Sequence, residues 1–327
     1  MKILITGGAG FIGFNCALIL KERGYENIHI FDNFEKGWRP ELERFTTVHR
    51  GDLSKAEGLE RCLKSEVFDG ILHFGGQTAV TLSVKNPRRD FETNALGTFN
   101  LLEIVRKICP ETKIIYSSSN KVYGTLRNQK ISEGSTRYEL AESPSGIKSC
   151  EPLDFHSPYG CSKGAADQYA IDYSRIFGLK TFTLRQSCVY GSHQSGTEDQ
   201  GWIAWFIQSF LNKSPLTIYG NGKQVRDILH VTDLVDLCER ILKSDVLAGA
   251  YNVGGGAENS ISLLEMLDFL RQNICEKEVV FSEERPGDQR VFYSDNTKLK
   301  EDFKWEPKMQ KHQGLKQTID FLSNTTQ

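Results

Sequence analysis

With 327 residues, the chain can hold one large α/β unit or two closely associated lobes, and 39% hydrophobic and 25% charged residues supply an ordinary globular core. A net charge of −2, from 40 Lys and Arg against 42 Asp and Glu, offers no basic face to nucleic acid or to an anionic membrane. No apolar run nears the ~18 residues of a membrane span, no basic secretion signal precedes the first strand pattern, and eight scattered cysteines and seven histidines lack CxxC and HExxH spacing, which predicts a reduced cytoplasmic protein with no metal site.

The first strand pattern, Lys2-Ile3-Leu4-Ile5-Thr6, runs directly into Gly7-Gly8-Ala9-Gly10-Phe11-Ile12-Gly13. Helix periodicity follows over 11–23 through Cys16, Ala17, Leu18 and Leu20. Glycine at 7, 10 and 13 suits a tight turn, close approach of backbone N–H groups to a pyrophosphate, and helix–strand packing. The pyrophosphate would sit on the helix N-terminus, at Phe11 and Ile12, where orphan N–H groups and the macrodipole favour anions. A second strand, 27–31, leads to Asp32, about 20 residues past the last glycine, where a carboxylate bonds a ribose 2′-hydroxyl. No Arg or Lys directly follows Asp32, so NAD is expected rather than NADP.

Further strand patterns at 46–50, 70–74, 113–117 and 179–185 alternate with helix patterns at 56–65, 88–108 and 157–177. This alternation predicts an α/β fold with a doubly wound parallel sheet of Rossmann type. Between Gly124 and Ser157 the chain is polar with little periodicity, including Glu142-Ser143-Pro144-Ser145-Gly146, and is expected to form a flap near the site. After residue 185 come a helix near 203–212, a strand at Leu216–Tyr219, a helix near 232–243 and a strand at Tyr251-Asn252-Val253. The expected organisation is a dinucleotide-binding domain over 1–185, its sheet completed by segments near 216–255, and a smaller C-terminal substrate-binding lobe over 186–327.

Chemistry concentrates in Ser157-Pro158-Tyr159-Gly160-Cys161-Ser162-Lys163. Ser157 suits an N-cap and Pro158 the first helical position, which puts Tyr159 in the first turn and Lys163 one turn on, on the same face. A tyrosine with a reference pKa near 10 serves as a base near neutrality only after a shift of about 3 units. A lysine ammonium, the helix N-terminus and a cationic nicotinamide ring all push in that direction. Upstream, the strand through Ile114-Ile115-Tyr116 ends in Ser117-Ser118-Ser119-Asn120-Lys121-Val122-Tyr123-Gly124, presenting hydroxyls at a strand's carboxyl end, where a cofactor crevice lies.

These elements together resemble the extended short-chain dehydrogenase/reductase family, and within it the nucleotide-sugar epimerases, over nearly the whole chain. The resemblance implies Tyr159, Lys163 and Ser119 as the catalytic set, with Gly7, Gly10 and Gly13 at the pyrophosphate and Asp32 and Asn33 at the adenosine ribose. It implies Asp52 and Leu53 at the adenine and Gly75, Gln77, Asn94 and Ser117 along the cofactor, which would be a tightly held NAD that is not consumed. Asn120, Gln200, Trp202, Arg226 and Arg285 are implied to contact substrate, the two arginines at its diphosphate. Asp199-Gln200-Gly201-Trp202 and Asp288-Gln289-Arg290-Val291-Phe292 bring the likeness nearest to epimerases that invert C2 of a CDP-3,6-dideoxyhexose, an O-antigen precursor. A CDP-sugar partner is therefore favoured, with C4 inversion of a UDP-sugar, or another short-chain nucleotide-sugar oxidoreductase, as the alternative. The family further implies a homodimer or homotetramer built on 88–108 and 157–177. Cys188 stands where many relatives carry Asn. A 4,6-dehydratase needs an acid/base carboxylate pair beside the catalytic hydroxyl, and here those neighbours are Asn120 and Lys121.

Overall fold

The structure is a computed structural model describing residues 1–285 and 288–325. Pro286 and Gly287, within the quoted Arg285-Pro286-Gly287-Asp288 segment, lie outside the described residues. The chain divides into two compact units, one of Met1–Val122, Ser157–Arg185 and Val235–Tyr251, the other of Tyr123–His156, Gln186–Leu234 and Asn252–Gln327.

The first unit is organised around a seven-stranded sheet ordered Gly249–Val253, Thr181–Gln186, Lys113–Ser119, Gly70–His73, Lys2–Thr6, Asn27–Asp32 and Thr47–Arg50. The pairings of Lys2–Thr6 with both its neighbours are parallel, as are those of Asn27–Asp32 with Thr47–Arg50 and of Gly70–His73 with Lys113–Ser119. Ile3, Leu4, Ile5, Ile71, Leu72, Ile114 and Ile115 are all buried, the near-continuous apolar run expected of strands covered on both faces. On one face, Leu59 and Leu63 of Ala56–Ser65, Leu101 and Val105 of Gly97–Ile108, and Ala166 and Ala170 of Ser157–Phe177 close one core with Leu4, Ile71 and Ile114. Strand order reverses between Lys2–Thr6 and Gly70–His73, so the turns after these two strands flank the switch point where α/β sheets bind ligands.

Three local expectations are corrected. The helix read over 88–108 is broken into Pro87–Phe91, a π-helical turn Glu92–Leu96 and Gly97–Ile108. Of the segments near 216–255, Gly249–Val253 joins the large sheet; Thr217–Tyr219 instead pairs in parallel with Val280–Ser282, because Leu216 and Ile218 are drawn into the second unit's own core. The polar stretch 124–157 contains an antiparallel hairpin, Ile131–Glu133 with Tyr138–Leu140, in the second unit. Its strands are three residues each, too short for alternation to register.

The second unit pairs Val225–His230 with Ser260–Ser262, Val291–Phe292 and Cys188–Tyr190. Helices Trp202–Leu211, Leu263–Asn273 and Lys311–Thr325 cover its core. Leu263–Asn273 begins with a capping box, Ser262 Oγ accepting from the Glu265 N–H while Glu265 accepts from the Ser262 N–H. No described helix is long and apolar enough to cross a membrane.

Candidate active site

The glycine turn is compressed to the limit of backbone contact. Gly7 has φ +69°, and a Cβ there would lie 2.6 Å from the Gly75 N. A Cβ on Gly13 would lie 2.2 Å from the Gly7 carbonyl oxygen and 2.8 Å from the Gly8 Cα. Gly10 caps Phe11–Glu22 with extended backbone, and the first helical turn, with Phe11 and Ile12 half-buried, carries no acidic side chain. Its leading N–H groups, which no helix can pair internally, thus face an anion-compatible cradle. Gly13→Ala is expected to cost about 1–3 kcal/mol in urea denaturation, because the clash is with backbone and cannot relax; an unchanged midpoint would contradict this contact.

Around this turn, Asp32 accepts from the Ala9 N–H at 3.0 Å and the Phe34 N–H at 2.7 Å. Asn33 is exposed and turns its own loop by accepting from the Glu35 N–H at 3.1 Å. Asp52 likewise accepts from the N–H and hydroxyl of Ser54, at 2.9 and 2.8 Å, and Leu53 is buried against Gly75 and Gly97. Arg39, which had no signal in the sequence, returns to the turn: its Nε donates to the Ala9 carbonyl at 3.0 Å, and its guanidinium lies 4.3 Å from the Phe14 ring centroid. Asp32 and Arg39 therefore hold Ala9 by its N–H and by its carbonyl.

Tyr159, Lys163 and Ser119 come together at the sheet's carboxyl end, all buried. Ser157 does cap the helix, its Oγ accepting from the Gly160 N–H at 3.2 Å, but with φ +63°, a left-handed conformation that concentrates at functional sites. The Tyr159 N–H donates to Ser83 Oγ at 3.1 Å, and the Ser119 hydroxyl favours the ionised form of the Tyr159 phenol. Ser119 Oγ also accepts from the Lys121 N–H at 3.2 Å and donates to Asn120 Oδ1 at 3.4 Å. Lys163 Nζ donates to the Ser117 carbonyl at 2.8 Å and lies 5.1 Å from the Tyr116 ring centroid.

Electrostatics here run against the sequence argument. Burial pushes the Tyr159 phenol up to about 12, and the Ser119 hydroxyl only partly opposes it. Burial also brings Lys163 down to about 8, opposed by the Asp90 carboxylate. The ammonium and the helix N-terminus together do not offset the loss of solvent around the phenol. The chain's own groups keep Tyr159 protonated.

A buried polar network backs this set, joining Gln77 and Asn94 to Ser162 and to Asp90, a carboxylate that no motif in the sequence marks. Asp90 is fully buried; its Oδ1 accepts from Gln77 Nε2 at 2.9 Å and Asn94 Nδ2 at 3.2 Å, and its Oδ2 from the Ser162 hydroxyl. Asn94, in the π turn, also accepts from the Gln77 N–H at 2.9 Å and donates to Ser162 Oγ at 3.1 Å. A detectable signal existed: Asp90, Asn94, Gly97, Thr98 and Leu101 follow the helical stripe, which places a carboxylate on a buried face. Behind Ser119, Ser118 donates to Asp167 Oδ2 at 2.7 Å while Arg185 grips the same carboxylate at 2.9 and 2.8 Å. That pair ties the strand end to the helix bearing Tyr159 and Lys163.

The remaining implied substrate residues, apart from Asn120, belong to the second unit. Arg226 donates to Asp288 at 2.8 Å, and the Arg285 guanidinium lies 3.9 Å from the Tyr219 ring centroid and 3.4 Å from Glu198. Trp202 Nε1 contacts Cys188 Sγ at 3.2 Å, and the indole meets Phe206 edge-on at 5.4 Å. Gln200 is exposed, at the entry to helix Trp202–Leu211.

The sequence pattern of the family described as GDP-mannose 4,6 dehydratase matches residues 4–318. The CDP-paratose 2-epimerase of Salmonella typhi is 44% identical over 341 residues, spanning 99% of this chain and 100% of that protein. Among solved structures, the UDP-glucose 4-epimerase of Thermotoga maritima with UDP-glucose superposes with a TM-score of 0.87 at 30% identity, covering 100% of both chains. The UDP-glucose 4-epimerase of Thermus thermophilus in complex with NAD gives a TM-score of 0.82 at 30% identity and 98% coverage of each chain.

Proposed function

We propose, from the premise that this chain belongs to the GDP-mannose 4,6 dehydratase family, that it is a NAD-dependent nucleotide-sugar epimerase, an isomerase that inverts C2 of CDP-paratose to give CDP-tyvelose through a transient 2-keto sugar. The observation that carries this reading is the gathering of buried Tyr159, Ser119 and Lys163 at the carboxyl end of the sheet, in a chain 44% identical to a CDP-paratose 2-epimerase from end to end.

The residues present fit NAD. Gly7, Gly10 and Gly13 leave a cradle that side chains would fill, Phe11 and Ile12 open the helix above it, and Asp32 offers a carboxylate at the ribose end. Gly75, Gln77, Asn94 and Ser117 line the path toward Lys163: a Cβ on Gly76 would lie 2.7 Å from Asn94 Oδ1 and 3.3 Å from Lys163 Nζ. Bound NAD supplies a reversible hydride acceptor and, when oxidised, a cationic ring.

Within that frame the protein's part is proton handling and placement. Tyr159 Oη takes the C2 hydroxyl proton as the C2–H bond breaks, and returns it when the carbinol is re-formed. Ser119 donates to the same sugar oxygen, orienting it, and Lys163 holds the nicotinamide ribose and favours the phenolate. Inversion needs no second acid/base pair, only presentation of the ketone's opposite face before the carbinol is rebuilt. Asn120 and Lys121, beside Ser119, supply no carboxylate pair for elimination of water, which favours epimerisation over dehydration. Arg226 and Arg285 suit the diphosphate, Arg above all for bidentate contact, and Gln200 and Trp202 the nucleoside.

Exposed Tyr169, Ile176 and Phe177 along the Ser157–Phe177 helix support a homo-oligomer, a dimer or tetramer, and free thiols at all eight cysteines support a cytoplasmic location. The test is incubation with CDP-paratose, followed by NMR. We expect CDP-tyvelose to appear without added cofactor, and inversion of UDP-glucose at C4 with CDP-paratose untouched would replace this reading by the second one, which the Thermotoga structure favours.

A further inference from the structure

We propose that Asp90 is a positioning residue that keeps Lys163 charged and, through Ser162, Asn94 and Gln77, locks the lysine's helix to the loop following strand Gly70–His73. The inference rests on the role given above to Lys163.

Asp90 is a fully buried carboxylate whose hydrogen-bond donors, Gln77, Asn94 and Ser162, are all neutral. A buried anion held by neutral donors is costly unless a cation stands within electrostatic reach. The cation is Lys163, buried one residue beyond Ser162. The groups facing this ammonium from each packed element are known. Strand Lys113–Ser119 contributes the Ser117 carbonyl and the Tyr116 ring, strand Gly70–His73 contributes His73, and the lysine's own helix contributes Tyr159. Burial raises Tyr116 well above its ordinary value and Tyr159 to about 12, and lowers His73 to about 3, so all three are neutral near pH 7. Among the described residues facing Lys163, Asp90 is the anion, and it opposes the burial that brings the lysine down to about 8. The same carboxylate repels a Tyr159 phenolate, so its placement serves the lysine at some expense to the base.

The geometry is also mechanical. Gln77 is clamped by Asn94 at both its N–H and its carbonyl, at 2.9 and 3.0 Å, and by Asp90 at its side chain. The π turn Glu92–Leu96 sits at the centre of this clamp, a form of helix that recurs at functional sites.

Asp90→Asn removes the charge while retaining a group that can accept from Gln77 and donate to Ser162. The readout is NAD affinity of the purified protein, by fluorescence titration from mildly acidic conditions to about pH 9. Wild type should lose affinity as pH rises past about 8, when Lys163 gives up its proton. In Asp90→Asn this alkaline limit should move down by about one pH unit, with binding weaker between the two limits and approaching about tenfold weaker above both. A variant whose limit coincides with that of wild type overturns the proposal and leaves the epimerase reading intact; wild type that binds no NAD overturns both. Should Asp90→Asn not fold, Ser162→Ala keeps the Asp90 charge but cuts the link between the lysine's helix and Asp90, so NAD affinity should fall while the alkaline limit stays where it is in wild type. Unchanged affinity then overturns the proposal.

Discussion

Tyr159→Phe lowers epimerase turnover by about 10²–10⁴-fold, the ordinary worth of a positioned acid/base, with NAD retention and stability little changed. The ring is buried and well packed, and Phe keeps that packing while removing one oxygen. Ser119 retains Asn120 and the Lys121 N–H as partners, so the deletion leaves no orphaned group behind. The loss should fall on kcat more than on KM, because the proton moves only as the C–H bond breaks. The pH profile separates this account from a merely structural one. In the chain itself the phenol stands at about 12 and the ammonium at about 8. Raising pH therefore strips charge from Lys163 first, and the wild-type rate should fall as pH passes about 8 rather than climb toward the phenol's own value. Turnover of Tyr159→Phe equal to that of wild type, measured by NMR on the same CDP-sugar, would remove the phenol from the mechanism.

The second large effect is on stability. Asp167→Ala is expected to cost about 3–5 kcal/mol, because it leaves the Arg185 guanidinium buried without its counter-ion. Both side chains lie out of solvent, Arg185 at 5% and Asp167 at 0% exposure, and the contact is bidentate. Ser118 loses its acceptor in the same change, so the strand end carrying Ser119 is released as well. Urea denaturation beside an exposed-pair control gives the comparison: breaking the solvent-facing Glu60–Lys64 pair should change stability by less than about 1 kcal/mol. A loss under about 1 kcal/mol for Asp167→Ala would mean that water or a neighbour re-pairs Arg185, and the tether would lose its significance. Activity gives a second check, since a displaced Ser119 lowers turnover even in the folded fraction.

What could be read from the residues alone was local in sequence. The Gly7–Gly13 turn, Asp32 at a strand end, and Tyr159 four residues before Lys163 each lie within one strand–turn–helix or one helical turn, where periodicity and spacing act directly. The parallel sheet followed for the same reason: runs such as Ile3-Leu4-Ile5 and Ile114-Ile115 are apolar on both faces, and only a doubly covered sheet accommodates them. Thr217–Tyr219 pairs outside the large sheet, with Val280–Ser282, a choice of partner that a three-residue strand does not encode.

Tertiary structure decided the rest. Arg39 reaches Ala9 across 30 residues, Ser162 reaches Asp90 across 72 and Ser118 reaches Asp167 across 49. No spacing rule links such positions, although Asp90 on a buried helical stripe was a visible anomaly. The ordering of proton affinities belongs to the same class. A lysine beside a tyrosine favours the phenolate, but the loss of solvent around both groups opposes it. Removed from water, each charged form is penalised, so the phenol moves up and the ammonium moves down. Adjacent residues specify which groups meet along a helix, whereas burial, which no short segment contains, determines what charge those groups carry.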